Sequence, residues 1–210
     1  MRRIFANIVV TVLLVVTYGT PALASGTPPA WRYMRGEIHR LASKFPAASA
    51  IEVMDLSSGY RASYNAGASM PAASTIKVPV MVEVFRQLEA GNFDLRRRVE
   101  LLARDKDYGS GDLCNAPVGA RYDVADLLSK MIDISDNTAT NMLIRLVGRT
   151  HINRTMNGLG LERTHLTQDV RTSNWSVRRA LRSSPDDMVR LLAMMARRNL
   201  IDAWSSDEMI

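Results

Sequence analysis

The hydrophobic positions of this chain follow two different spacings, a helical one and an alternating one, in separate segments. Residues 31–42 carry apolar side chains at helical spacing, which predicts a first helix. Two short runs, around residues 51–53 and 60–64, then alternate at every second position, and the Ser-Ser-Gly sequence at 57–59 supplies turn residues between them. This part of the chain is therefore predicted to form a helix followed by an antiparallel hairpin.

From Ser74 onward the apolar residues recur with the helical period, and four amphipathic helices are predicted. They cover residues 74–90, 123–132, 137–147 and 184–198. Gly91 and Gly148 provide C-terminal stops, and Ser184 followed by Pro185 is typical of a helix start. The second helix is predicted to turn inward the side chains of Val124, Leu127, Leu128, Met131 and Ile132.

The last six residues, SSDEMI, combine a serine with two acids and then apolar residues. This order is typical of the start of a helix. The pattern therefore predicts a chain that ends inside an element.

The first 24 residues have the layout of a secretory signal peptide. Arg2 and Arg3 precede an apolar segment at 8–16, and small residues lead to a predicted cleavage after Ala24. The competing interpretation is an uncleaved membrane anchor, but the apolar run is shorter than the roughly 20 residues that a spanning helix needs. The mature protein is therefore expected to be periplasmic or secreted, with no stable membrane anchor.

Composition places the chain among ordinary globular proteins, with 47% hydrophobic and 23% charged residues. Loss of the leader arginines lowers the formal charge from +6 to +4. The three arginines at 96–98 are expected to form a solvated face. Nucleic acid is therefore not an expected partner. Cys114 is the single cysteine, which excludes a disulfide within the chain. The three histidines lie far apart in no ligand spacing, and we expect neither a metal nor a cofactor.

The segment MPAASTIKVPV places Ser74 one helical turn ahead of Lys77. A serine hydroxyl becomes nucleophilic when a base accepts its proton, and a lysine can do so when burial or nearby positive charge lowers its pKa. The alternative is that Ser74 only caps the helix and Lys77 is solvated. By itself the motif does not decide between the two.

A second motif, Ser135-Asp136-Asn137, opens the next but one predicted helix. All three residue types also favour helix caps, so this cluster alone has a purely structural interpretation. Taken with Ser74 and Lys77, it completes the pair of motifs described for serine enzymes that recognise penicillin. The combination favours the catalytic interpretation of both motifs.

The sequence resembles the superfamily of class A β-lactamases and serine-type penicillin-binding proteins. The resemblance rests on the two motifs and on MDLSSG, LEAGNFDLRRRVEL, DYGSGDL and GLGLERTHL. It implies an α/β (α+β) fold in which an antiparallel sheet with flanking helices is joined to a helical subdomain. Residues 25–73 would belong to the α/β part and residues 74–210 to the mainly helical part of an incomplete catalytic domain.

The resemblance also implies roles for individual residues. Ser74 would be the acylated nucleophile, Lys77 its base or proton relay, and Ser135 the group that passes a proton to the leaving nitrogen. Asn137 would form a hydrogen bond with the side-chain amide of the substrate, and Asp136 would be a structural residue that fixes the loop. The substrate would be a small β-lactam or a peptidoglycan peptide, and the protein would be a monomer.

The resemblance implies less for two further residues. Tyr108 would line the edge of the cleft, although a surface tyrosine is the alternative. Asp169 is the acid nearest to where class A enzymes carry the E-x-x-L-N glutamate that activates the deacylating water, because Glu162 comes too early. It is therefore the candidate substitute base.

Three functions remain open from the sequence. The leading one is an exported β-lactamase-like hydrolase, and the first alternative is a D-alanyl-D-alanine peptidase or penicillin-binding acyltransferase, which would explain the missing glutamate. The third is a non-catalytic envelope protein. The K-T-G strand of the superfamily is also missing, so the C-terminal strands of the sheet are expected to be absent from this chain.

Overall fold

The computed structural model describes residues 13–15, 27–172 and 180–210. Within them are seven α-helices: α1 (Pro29–Lys44), α2 (Lys77–Glu89), α3 (Val124–Asp133), α4 (Asn137–Val147), α5 (Arg149–Gly158), α6 (Pro185–Ala196) and α7 (Ala203–Glu208). The same residues contain eight strands: β1 (Leu13–Val15), β2 (Ile51–Asp55), β3 (Arg61–Tyr64), β4 (Met70–Pro71), β5 (Arg98–Glu100), β6 (Arg121–Asp123), β7 (His165–Leu166) and β8 (Leu181–Ser183). The fold is thus a mixed α/β one with small sheets and flanking helices, as predicted.

The predicted hairpin is present as strands β2 and β3, which pair antiparallel with Val53 opposite Ala62. Gly59 closes its turn by donating its N–H to the carbonyl of Asp55 at 2.8 Å, and its φ of 73° is one that glycine adopts at little cost. Strand β1 pairs with the other edge of β2 in the parallel sense, so this sheet is not wholly antiparallel. Apart from β1, the predicted leader at 1–24 lies outside the described residues.

Two further small sheets, with the orders β4-β8-β7 and β5-β6, were not predicted. Their strands are two or three residues long, which is too short for an alternating pattern to be recognised. The pairing of β4 with β8 places Met70 opposite Ser183 and Pro71 opposite Arg182. Since β4 immediately precedes the Ser74 motif, this sheet fixes where that motif enters the helical part.

The main hydrophobic core lies among helices α2 to α6, as the helical period predicted. Its large, fully buried side chains include Ile76, Leu127, Met131, Met142, Leu143, Ile152, Met156, Met188 and Leu191. Burial of each such side chain contributes about 1.5–3 kcal/mol. This core fixes the N-terminal ends of α2 and α4, which carry the two motifs.

Two predicted features are wrong. Ile132 is exposed because the packed stripe of α3 ends at Met131, shortly before the helix itself ends. The residues SSDEMI end a helix and do not begin one, because Asp202 caps α7 further upstream by accepting the N–H of Ser205 at 2.7 Å.

Among the described residues, no helix has both the length and the apolar character needed to span a membrane.

A buried carboxylate links the hairpin to the start of α6. Glu52 of β2 is 3% exposed, and its Oε1 lies 2.8 Å from Nη1 of Arg61, which also contacts Asp186 at 3.0 Å. Among the described residues, Oε2 of Glu52 has no hydrogen-bond partner. Burial raises the pKa of Glu52, and the Asp186 carboxylate adds to the rise against the opposing effect of Arg61.

This pKa shift predicts a pH-dependent stability. A raised pKa means that the folded state binds the proton more tightly than the unfolded state, so the Glu52 contribution to stability is full below the ordinary pKa and is lost as the pH rises through the raised value. We expect Glu52→Gln to lose less stability than the wild type in urea titrations as the pH rises from the ordinary pKa of 4.5 through the raised value. Glu100→Gln, at an exposed ion pair on β5, is the control, and equal slopes for all three proteins would contradict the assignment.

Candidate active site

Ser74 lies in a single 3-10 turn, Ala73–Ile76, between strand β4 and helix α2. The turn is tied to the sheet because the N–H of Ala72 donates to the carbonyl of Leu181 at 2.9 Å. Ala73 has a φ of 47°, a conformation that L-residues adopt rarely. Ser74 is exposed and its side chain makes no capping hydrogen bond, so the prediction of an α-helix that starts at Ser74 is corrected by one turn.

Lys77 is the first residue of α2 and is 3% exposed. Its Nζ donates to the carbonyl oxygen of Ser135 at 2.5 Å, to Oγ of Ser135 at 2.7 Å and to Oδ1 of Asn137 at 2.9 Å. An ammonium group has three donors, and these three acceptors account for all of them. The solvated-lysine alternative is therefore wrong for the structure.

The hydroxyl of Ser135 connects Lys77 to Ser74. Its Oγ donates to Oγ of Ser74 at 3.0 Å while it accepts from Lys77. The sequence indicated a direct approach of Lys77 to Ser74, but among the described contacts the lysine reaches that serine only through Ser135. The two motifs, 61 residues apart in sequence, thus form one hydrogen-bonded chain of serine, serine and lysine.

Burial lowers the pKa of Lys77 to about 8, although the carboxylates of Asp136 and Asp107 act in the opposite direction. A lysine with this pKa is a competent proton acceptor near neutral pH, whereas an ordinary lysine is almost fully charged. The site therefore has the two components of nucleophilic catalysis, a hydroxyl and a base within one hydrogen-bonded chain.

Asp136 holds the loop that presents Ser135. It caps α4 by accepting the N–H of Ala139 at 2.8 Å, and its Oδ2 accepts the N–H groups of Asp112 and Leu113 at 2.8 and 2.9 Å. It is fully buried, and its contacts match the loop-fixing role implied by the resemblance. Ser135, with a φ of 57°, directs both its carbonyl oxygen and its hydroxyl toward Lys77.

Asp107 was not singled out from the sequence, yet it contacts the site directly. Its Oδ1 accepts from Nδ2 of Asn137 at 2.8 Å and from Oγ1 of Thr172 at 2.9 Å, and its Oδ2 accepts the N–H of Thr172 at 2.8 Å. Burial alone would raise the pKa of Asp107, but the hydrogen bonds from Thr172, Asn137 and Gly109 lower it overall. The available sequence signal was its position beside Tyr108.

The two remaining candidate residues, Tyr108 and Asp169, have no described hydrogen bond to the serine and lysine chain. Tyr108 is 75% exposed and directly follows Asp107 in sequence. Asp169 forms ion pairs with Arg149 at 3.2 Å and with Arg171 at 3.6 Å. Among its described contacts none is to Ser74, Lys77 or Ser135, and both of its carboxylate oxygens face guanidinium groups.

No cluster of three or more histidine, cysteine or acidic side chains suited to a metal ion occurs in residues 27–172 and 180–210. The fold and the site together have the arrangement to which the two motifs pointed, a serine hydroxyl joined through a second serine to a buried lysine.

Comparison with known proteins identifies the family of the chain. The sequence pattern of the Beta-lactamase enzyme family matches residues 34–210, and the chain therefore belongs to that family. No curated protein gives a significant match.

Solved structures resemble this fold closely over most of the chain. A β-lactamase from Sphaerobacter thermophilus shares 28% identity with a TM-score of 0.76, over 83% of this chain and 66% of that one. PBP-A also shares 28% identity, with a TM-score of 0.75, over 84% of this chain and 66% of its own. An ancestral class A β-lactamase at 21% identity and a TM-score of 0.74 shows the common fold. The present chain thus spans slightly less than two thirds of the length of the first two.

Proposed function

We propose that this protein opens β-lactam amides through a covalent acyl-enzyme at Ser74. The observation that carries the proposal is the hydrogen-bonded chain from Ser74 through Ser135 to Lys77, whose pKa is lowered to about 8. Family membership supports the choice of reaction, because the family is that of β-lactamase enzymes.

The protonation state of Lys77 sets the direction of this chain. With Lys77 charged, Ser135 must accept from the ammonium and donate to Ser74, which is the arrangement observed. With Lys77 neutral, its lone pair accepts from Ser135, and Ser135 can then accept the proton of Ser74. Loss of one proton from Lys77 therefore converts Ser74 from a hydrogen-bond acceptor into an activated nucleophile.

Acylation then proceeds with a balanced transfer of protons. Oγ of Ser74 bonds to the amide carbon while its proton passes through Ser135 to Nζ of Lys77. The C–N bond breaks, and the same route in reverse returns a proton from Lys77 through Ser135 to the leaving nitrogen. The backbone N–H of Ser74, which donates to no acceptor among the described backbone contacts, is available to the oxyanion.

We further propose that the protein is exported and acts as a monomer on small β-lactams or peptidoglycan peptides, which would associate it with antibiotic resistance. Support for export comes from the leader pattern of residues 1–24, with cleavage after Ala24. Residues 25–73 would then supply the hairpin part of the catalytic domain and residues 74–210 the helical part.

A second candidate, a penicillin-binding acyltransferase, is favoured by one specific observation. The only acid predicted as a deacylation base, Asp169, is held by Arg149 and Arg171. A general base must lie within hydrogen-bonding range of the water that it activates. The two ion pairs instead hold the carboxylate of Asp169 against guanidinium groups. PBP-A is the relative whose name matches this candidate, and one of its variants is described as an acyl-enzyme complex with penicillin G.

The test is to incubate the full chain with benzylpenicillin and to measure the intact mass. We expect the mass to increase by that of one penicillin, with the adduct located by peptide mapping on the fragment that contains Ser74. Ser74→Ala is the matched control and should remain unmodified. The same mass, measured on protein recovered from outside the cytoplasm, reports whether residues 1–24 have been removed.

A chromogenic cephalosporin then distinguishes the two candidates. Sustained turnover supports the β-lactamase, whereas a single stoichiometric burst followed by a stable adduct supports the acyltransferase. Absence of any adduct on the folded wild-type chain would contradict both and leave the non-catalytic envelope protein.

A further inference from the structure

We propose that the outward face of helix α1 is a docking surface for an anionic lipid bilayer, to which the protein binds reversibly. The inference goes beyond the proposed reaction, because it concerns a surface on the hairpin side of the fold and uses no residue of the serine and lysine site. The two faces of α1 differ in exposure and in contacts.

The inner face of α1 packs on the hairpin. Trp31 contacts Tyr60 with ring centroids 6.2 Å apart, and His39 contacts Tyr64 with centroids 5.3 Å apart. Ala42, three residues after His39, is buried. These contacts fix the rotation of the helix about its axis and therefore determine which side chains point away from the fold.

The outward face carries large apolar side chains that no described part of the chain covers. Tyr33 is 72% exposed and Leu41 is 59% exposed. They are eight residues apart, about two helical turns, and therefore share a face. Phe45, which directly follows the helix, is 54% exposed. These three residues form an outward apolar strip.

The charge of α1 is strongly positive. The helix contains one acid, Glu37, against four cations, Arg32, Arg35, Arg40 and Lys44. Arg40 and Lys44 adjoin Leu41 of the apolar strip, and Arg40 pairs with Glu37 at 2.6 Å. Helices that lie on membrane surfaces have this combination, because their apolar side chains enter the headgroup region while Lys and Arg meet anionic lipids.

A second copy of this chain is a poor occupant of the same face. Contact between two α1 helices would bring four cations against four cations, with one acid on each side, and like charges in an interface repel. A bilayer with anionic headgroups has the complementary charge. It also lies close by in the proposed export, because the leader is predicted to end at residue 24 and α1 begins at Pro29.

The test is co-sedimentation of the full chain with vesicles of phosphatidylglycerol and phosphatidylcholine in equal parts. Every protein carries Val9→Asp and Val12→Asp, which interrupt the apolar leader segment so that it does not bind lipid itself. We expect this parent chain to partition into these vesicles at least about tenfold more strongly than into pure phosphatidylcholine. It should be released at about 0.5 M salt, where surface charges are screened.

Two variants remove the two components of the outward face. Leu41→Ser removes apolar surface and should lower the partition coefficient about tenfold. Arg40→Gln combined with Lys44→Gln should lower it about 25-fold, since each cation near an anionic surface contributes about fivefold. Thermal melting establishes that the variants are folded, and Tyr33→Ser replaces Leu41→Ser if the latter is not.

Matched controls remove the same kinds of group from other surfaces. Val118→Ser changes an apolar side chain that is 56% exposed, and Arg96→Gln combined with Arg97→Gln removes two exposed cations just before β5. At about 0.1 M salt, where charges act over about 10 Å, both should keep the parent partition coefficient within about twofold. Equal losses in the controls and in the α1 variants would overturn the proposal, because the chain would then bind by its overall positive charge.

Three further results would also overturn the proposal. One is equal partitioning of the parent chain into the two kinds of vesicle, and another is no binding by the folded parent chain. The third is a dimer in sedimentation velocity that Leu41→Ser dissociates, which would assign the outward face of α1 to a second copy.

Discussion

Replacing Lys77 with methionine is expected to lower the rate of acylation of Ser74 by about 10²–10⁴, the usual contribution of a positioned general base. The physical reason is that Lys77 is the terminal proton acceptor of the chain through Ser135. Methionine has a similar length and no charge, so it suits a side chain that is 3% exposed. The measurement is the second-order rate constant for labelling by a fluorescent penicillin.

Lys77→Arg separates proton transfer from electrostatic stabilisation. Arginine retains the positive charge but does not deprotonate in this pH range, so it should be as slow as methionine if Lys77 acts as a base. An arginine variant that is folded by thermal melting and labels at close to the wild-type rate would contradict that role.

The pH dependence of the wild type provides an independent check. With a pKa of about 8 for Lys77, about one molecule in ten has the neutral amine at pH 7. The second-order rate constant reports the free enzyme, so it should rise about tenfold per pH unit below pH 7 and level off above about pH 9. A profile that is flat from about pH 6 to about pH 9 would exclude neutral Lys77 as the acceptor.

The chemistry of the site was predictable because both motifs are local in sequence. Ser74 and Lys77 lie within one turn, and Ser135 and Asn137 flank the residue that caps α4. A hydrophobic period marks the helix that follows each motif, and the resemblance to a known family joins them. The direct contact expected between Ser74 and Lys77 is replaced by a path through Ser135. The position of Ser135 depends on the packing of α4, which the local sequence around Ser74 does not specify.

Contacts between distant segments were not predictable. Asp107 and Thr172 lie 65 residues apart, and nothing in either local sequence indicates that they touch. The cap of α7 illustrates a different difficulty, since Asp202 and Ser205 are both good capping residues. Only the geometry selects Asp202, whose carboxylate accepts the N–H of Ser205.

Gly111 is the position at which a single added methyl group is expected to damage the site most. Its φ is 90°, and a Cβ added there would lie 2.1 Å from Oδ2 and 2.5 Å from Cα of Asp136. Because the second atom belongs to the backbone, the loop that carries Ser135 must move. Gly111→Ala therefore adds overpacking, about 1–3 kcal/mol, to the cost of a left-handed alanine, about 1–2 kcal/mol.

Gly119→Ala is a matched control because Gly119 has a φ of 91° and a Cβ added there would meet no atom within 4 Å. It should show the backbone cost alone and keep wild-type acylation.

We expect Gly111→Ala to be less stable than Gly119→Ala by about 1–3 kcal/mol in urea titrations. We also expect it to lose acylation, since Asp136 can no longer accept from Asp112 and Leu113 while it positions Ser135. Equal stability of the two variants, with acylation retained in both, would mean that the close approach of Gly111 to Asp136 does not hold the serine loop.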